Sequence, residues 1–347
     1  MSKANAIPNA TVGGSEIPKA QFDAKPLALL AAVAALGLPL VGSPSTWLTL
    51  SLAGLAMGLI IFIIASGLTL VFGLMDVLNF GHGVFIAVGA YVAVSVMAGL
   101  AGWSAAPSVV LNFAAVLTAM FAAMGVAGGL GWAFERVIVR PVYGQHLKQI
   151  LITMGGMIVG EELIKALWGP QQQALPLPET LRGAFVIGVF GDQAAVEKYR
   201  VLAVAIGLVV FAALLWVLNR TKLGLLVRAG VQDREMVESL GYRIERLFVA
   251  VFVAGSALAG LGGVMWGLYQ QLVTPQIGTQ VNVLIFIVII IGGLGSTLGC
   301  FVGALLVGLV ANYAGFVAPK VALFSNIGLM VLILLWRPRG LYPVTNR

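Results

Sequence analysis

The chain has 347 residues, of which 60% are hydrophobic and only 10% charged, with a formal net charge of +7. A typical soluble domain is about 25% charged, so this composition excludes a water-soluble globule and requires most of the surface to face lipid. A basic balance in a soluble chain would suggest nucleic acid; here the excess sits in short loops, where the positive-inside bias accounts for it, and no nucleic-acid partner is expected.

Apolar runs long enough to cross a hydrocarbon core of about 30 Å recur along the chain. In lipid every backbone group must be paired internally, and the runs lack the two-residue alternation of barrel strands. The expected fold is all-α: a polytopic membrane helix bundle with about 8–10 transmembrane segments and broken helices.

Residues 1–26 are polar and mixed, with Pro8, Pro18 and Pro26, and read as a flexible cytoplasmic tail. The run 27–42 is short for a span. It is either an extra N-terminal helix or a signal-peptide core; the long polar region before it and Pro44 after it favour a retained helix. Further apolar segments follow near 48–73, 84–100, 109–133, 150–167, 201–218, 248–270, 281–292, 300–316 and 321–336. The run 281–292 is too short to cross alone and leads into Gly292, Gly293, Gly295 and Gly299, which marks a half-helix or a broken helix. Gly81–Ala90 (GHGVFIAVGA) and Gly295–Ala304 (GSTLGCFVGA) are faintly similar, each after a helix and a break. Composition alone or an internal duplication accounts for that.

Loop charge orients the bundle. Most of the 20 basic residues fall in the N-terminal tail, in 134–149, in 219–247 and in 337–347. Alternating the spans puts all four regions on one side, which the charge bias marks as cytoplasmic, with both termini inside. The lone Cys300 excludes an intrachain disulfide.

Two segments carry chemistry. In Gly67–Val92, GLTLVFGLMDVLNFGHGVFIAVGAYV, the polar Asp76, Asn79 and His82 recur at spacings of three, close to one helical face. Polar groups at membrane depth are expensive. They line a solute pathway at a helix break, or they form a tight interfacial turn with Asn79 and His82 bonded to local backbone. One His and one Asp, with His146 on a loop, do not make a metal site, and neither metal nor cofactor is expected.

In 221–247, TKLGLLVRAGVQDREMVESLGYRIERL is too charged to span. Val231, Met236, Val237 and Leu240 alternate with Asp233, Arg234, Glu235 and Glu238, which predicts a short amphipathic helix closed by Gly241. It lies on the bilayer or docks a cytoplasmic partner, and its acidic residues weigh against the bilayer.

These two segments, with IIGGLGSTLGCFVGALLVG and the closing LMVLILLWRPRGLY, resemble the LivH-type permease of branched-chain amino acid ABC transporters over roughly residues 48–343. The resemblance implies a type II-like importer permease domain over 43–336, in the bacterial inner membrane. It further implies a LivM-like second permease, two cytoplasmic ABC ATPase subunits and a periplasmic solute-binding protein. The family's coupling helix corresponds to about Gly230–Gly241 within 219–247, with Gln232 and Asp233 among the matching positions. Relatives also move urea, amides and aromatic acids, so the family does not fix the solute.

No G-x-x-x-x-G-K-[ST] occurs, so the chain has no P-loop and the ATPase is expected on another polypeptide. A nucleophile–base cluster is also missing, and no enzyme activity is expected. Glu161 and Glu162 remain, in ITMGGMIVGEELIKALWGP. Glu161 stands four residues before Lys165, the spacing of a helical ion pair. An interfacial ion pair, a solute or proton site at the outer mouth, and a partner contact all suit them. A stand-alone secondary transporter or channel is the alternative function, with Asp76, Glu161 and Glu162 as coupling groups.

Overall fold

The computed structural model describes residues 23–343 apart from 190 and 233. Most of the N-terminal tail, Asp233 and the last four residues therefore lie outside the described residues.

Thirteen helices are present among the described residues: α1 (Lys25–Val41), α2 (Pro44–Met75), α3 (His82–Gly99), α4 (Ala101–Ala105), α5 (Val109–Phe134), α6 (His146–Trp168), α7 (Lys198–Arg220), α8 (Lys222–Gln232), α9 (Arg234–Ser239), α10 (Ile244–Gln270), α11 (Ile277–Gly292), α12 (Thr297–Val317) and α13 (Ala322–Trp336). Six of the apolar stretches, those on α2, α3, α5, α7, α10 and α12, are long and apolar enough to cross a membrane; α1, α11 and 324–336 are apolar but shorter. The chain is a polytopic helical membrane protein, as its composition requires.

The core is α2, buried along most of its 32 residues and wrapped by α10 and α12, with α3 and α5 completing the centre. Small residues allow these helices to meet at their backbones. A Cβ on Gly67 would lie 2.3 Å from the Gly255 carbonyl oxygen, and one on Gly58 would lie 2.7 Å from that of Ala304. Substitution at either point forces α2 away from its neighbour. The first helix joins this core too: the Tyr313 ring of α12 fills the space beside Gly37, and Trp47 Nε1 donates to Ala34 O at 2.8 Å.

Contacts between loops sort the two ends of the bundle. At one end β1 (Gln173–Ala174) pairs antiparallel with β4 (Leu272–Val273), and β2 (Ala184–Val189) forms a hairpin with β3 (Asp192–Glu197). Ser45 Oγ donates to Asp192 Oδ2 at 2.5 Å, and this bond with the Gln193 N–H holds the Asp192 carboxyl below its ordinary pKa. At the other end Arg140 pairs with Glu245 at 2.6 Å, and Arg337 pairs with Asp23 at 2.6 Å. This second end carries α8 and α9. The sequence pattern predicts one amphipathic helix from Val231; helix instead starts nine residues earlier, where Thr221 Oγ1 accepts from Gly224 N at 3.4 Å. The far end is as expected, with Gly241 at φ +86° and Tyr242 N donating to Val237 O at 3.3 Å.

Candidate functional site

Helix α2 ends at Asp76, which adopts φ +53° while its N–H still reaches Phe72 O at 3.0 Å. From there the chain is not helical until His82. The spacing of three in Asp76, Asn79 and His82 is therefore not a helical face, because the left-handed Asp76 breaks the helix before the pattern begins.

The segment climbs back into the bundle. His82 Nε2 donates to Ile64 O at 3.1 Å, so α3 starts roughly 16 Å above the end of α2, the rise of residues 64–75 at 1.5 Å each. His82 and Asn79 are each 1% exposed. Asp76 stays at the mouth, half-exposed, with its Oδ2 3.8 Å from His146 Nε2. The structure thus brings Asn79 and His82 together inside the bundle and leaves Asp76 outside it.

Two helices hold the climbing segment. From α6, Thr153 Oγ1 accepts from Phe80 N at 3.2 Å. From α11, Asn282 Nδ2 donates to Phe80 O at 3.0 Å, and Phe286 stacks on Phe80 with ring centroids 4.7 Å apart. Among the described residues, neither amide atom of Asn79 has a hydrogen-bond partner, nor has Asn282 Oδ1. Leaving a buried polar atom unpaired costs about 1–3 kcal/mol, so two such amides in one place mark a site that is not optimised for stability alone. Asn282 was missed in the sequence; its only signal is a lone amide in an isoleucine- and valine-rich run.

The start of α11 meets the start of α3. A Cβ on Gly83 would lie 2.8 Å from Gly278 O, and one on Gly278 would lie 2.1 Å from Gly83 O. Two helix N-termini, whose dipoles place partial positive charge there, therefore touch within the bundle beside the Asn79 amide and Asn282 Oδ1, and in them the His82, Val84 and Ile277 N–H groups already donate to Asn79 O, Gly81 O and Thr274 O. This is the chemistry that receives a carboxylate, with hydrogen-bonding side chains at hand for a second polar group.

Glu161 is attached to the same junction. Its carboxylate accepts from Gln276 Nε2 at 3.2 Å and from Thr279 Oγ1 at 3.3 Å, tying α6 to the first turn of α11. Lys165 Nζ lies 3.0 Å from Glu161 and 2.7 Å from Glu162. Glu162 is otherwise turned outward. A crevice bordered by Gly83, Met157, Glu161 and Gly278 has a volume of about 10 Å3, room for one water at most. Any solute passing here requires these helices to separate.

Of the coupling candidates, Gly241 ends α9, and Glu238 is exposed on it. Gln232, Arg234 and Glu235 lie on helical backbone at α8 and α9, and Asp233 falls outside the described residues.

Residues 50–336 match the family model described as branched-chain amino acid transport system / permease component. The chain belongs to this permease family. The permease is 30% identical over 293 residues to the high-affinity branched-chain amino acid transport system permease protein BraD of Pseudomonas aeruginosa, covering 83% of this chain and 93% of that protein. It is 28% identical over 299 residues to LivH of Escherichia coli K12, with 83% and 92% covered. Against LivM of the same organism it is 27% identical over 313 residues, with 86% and 71% covered. No solved structure matches the permease. The family match begins within α2 and ends with α13, so it contains the climbing segment, the α3–α11 junction and the α8–α9 loop, while α1 lies outside it.

Proposed function

We propose that this permease imports branched-chain amino acids, or closely related small solutes such as amides, urea or aromatic acids, as one half of an ATP-driven bacterial inner-membrane transporter. The observation that carries the reading is the junction of α3 and α11: two helix N-termini in contact inside the bundle, beside the unpaired Asn79 amide and the unpaired Asn282 Oδ1. An amino acid presents a carboxylate to such ends, and its ammonium group requires acceptors, which Asn79 Oδ1 and Asn282 Oδ1 offer. Glu161 and Glu162 with Lys165 would form the outer latch of this passage, and Asp76 with His146 its inner rim.

In this reading a LivM-like second permease completes the passage, a periplasmic binding protein delivers solute, and two ATPase subunits dock on α8 and α9. Both termini are then cytoplasmic. Support for the docking surface comes from Leu225, Met236, Leu240 and Tyr242, which are apolar or aromatic yet exposed at that end. Gln232, Asp233, Arg234, Glu235 and Glu238 would supply its polar contacts, and the Gly241 turn would fix its exit.

The test is purification of the tagged chain in mild detergent with whatever subunits accompany it, followed by ATP-dependent leucine uptake in vesicles. Recovery of ATPases and a second permease, with uptake, is the expected result. The double substitution Asp233→Lys with Glu235→Lys should then abolish uptake while ATP hydrolysis continues. A lone chain that takes up solute on an ion gradient, without ATPases, would overturn the reading.

A further inference from the structure

Helices α7 and α10 hardly touch each other, although both are long. Between them, at the end of the bundle that carries α8, lies a groove of about 320 Å3. Its floor is Leu70 and Leu74 of α2 with Met124 of α5; its walls are led by Leu218 of α7 and by Ala254 and Leu258 of α10. Its lining surface is wholly apolar. A zwitterionic solute would find no partner there, and the amides of Asn79 and Asn282 are not among its walls.

The length of the groove is informative. Along α10 its lining runs from Leu247 to Leu258, a rise of roughly 16 Å, which is about half of a 30 Å hydrocarbon core and hence one leaflet deep. The open end is basic. Arg220 and Lys222 flank the turn from α7 to α8, and Arg243 and Arg246 precede Leu247; all four are exposed. Glu245, the acidic residue between Arg243 and Arg246, is held by Arg140 at 2.6 Å. An aliphatic slot one leaflet deep, rimmed by cations where α8 begins, has the complement of an anionic lipid: a hydrocarbon chain beneath a phosphate.

We propose that this groove binds one acyl chain of an anionic glycerophospholipid from the adjoining leaflet, with the headgroup phosphate between Arg220 and Lys222. The occupant wedges α7 apart from α10 directly under α8. Because Gly224 of α8 is part of the lining, the lipid touches the segment on which docking is proposed, and lipid composition would bear on coupling.

The test is native mass spectrometry of the full chain, with any subunits that copurify, delipidated and titrated with phosphatidylglycerol or phosphatidylcholine. The expected result is one tightly held phosphatidylglycerol per chain and weaker phosphatidylcholine. Arg220→Gln with Lys222→Gln should weaken phosphatidylglycerol roughly 30-fold, at the usual contribution of a basic residue near an anionic headgroup, and weaken phosphatidylcholine, whose phosphate is offset by its choline, by much less. Ala254→Trp, which fills the groove from its open side, should remove the first bound lipid of either kind. Equal affinity for the two lipids, or undiminished binding to the Ala254→Trp variant, would overturn the proposal. So would a covalent crosslink from a photoreactive side chain placed at Ala254 to another permease polypeptide, which would give the groove to a helix. The readout involves no transport, so its failure leaves the permease reading standing.

Discussion

After α2 the chain re-enters the bundle through residues 76–81, and the Asn79 amide it brings with it stays unpaired. After α11 it turns through Gly293, Gly295 and Ser296, and among the described residues no buried side-chain N or O of this turn lacks a partner. Ser296 Oγ accepts from Gly299 N at 3.1 Å to start α12. The last carbonyls of α11, which have no partner within their own helix, are met from outside: Leu341 N donates to Ile291 O at 2.9 Å and Tyr342 N to Gly292 O at 3.0 Å. Glycines at 293 and 340 let the two backbones come that close. Two interruptions at the same end of the bundle thus serve different ends. One is sealed by backbone and has the marks of structure; the other retains polar capacity that the fold itself does not use.

Substitutions sharpen this contrast, and the largest effect is expected at the seal. Gly340 has φ +85°, and a Cβ there would sit 2.5 Å from Gly293 N. Gly340→Val should destabilise the chain by about 3 kcal/mol or more, from strain and backbone collision together. Loss of the monodisperse peak in detergent gel filtration would register it; a normal peak and melting temperature would break the distinction. At the open interruption the pattern reverses. Asn79→Leu removes unpaired polar atoms, so stability should change by less than about 1 kcal/mol, while uptake falls about tenfold, the loss of one hydrogen bond made to solute. Unchanged uptake kinetics would return Asn79 to packing.

The smallest effect belongs to the contact outside the seal. Arg337 binds Asp23 at 2.6 Å, and Tyr342 Oη donates to Asp23 O at 2.8 Å. The Lys25 N–H and the Arg337 guanidinium hold the Asp23 carboxyl below its ordinary value of 3.8. A depressed carboxyl contributes its stabilisation above the ordinary value and loses it as pH falls through the lowered one. Asp23→Asn should therefore mimic strong acid at this point, speeding proteolysis near residue 23 with little change in melting temperature. An equal cleavage rate in both forms would show that the ion pair holds nothing.

Much of this was legible in the sequence. Each apolar run lies on a helix, since long runs without dyad alternation have few alternatives in lipid. The short run before Gly292 is the 16-residue α11, and the polar break after Leu74 lies where Asp76 and Asn79 interrupt the pattern. What was hidden depends on distant partners. Nothing near His82 in the chain says that its ring reaches Ile64, so the re-entry to mid-bundle could not be read, and the helical spacing of Asp76, Asn79 and His82 misled. Asn282 pairs with Phe80 across about 200 positions. The β2–β3 hairpin lies in the connection between the apolar runs 150–167 and 201–218 and is likewise absent from the pattern of apolar runs.

The seal on α11 also sets an order of manufacture. Ile291 and Gly292 enter the membrane two helices before Leu341 and Tyr342 exist, so while α12 and α13 are being inserted the end of α11 must rest on temporary companions, water or the insertion machinery. The joint closes only when the ribosome has moved past residue 342. A premature stop codon anywhere in α13 would consequently injure a helix made much earlier, and quality-control proteases would meet that injury at α11 rather than at the shortened end.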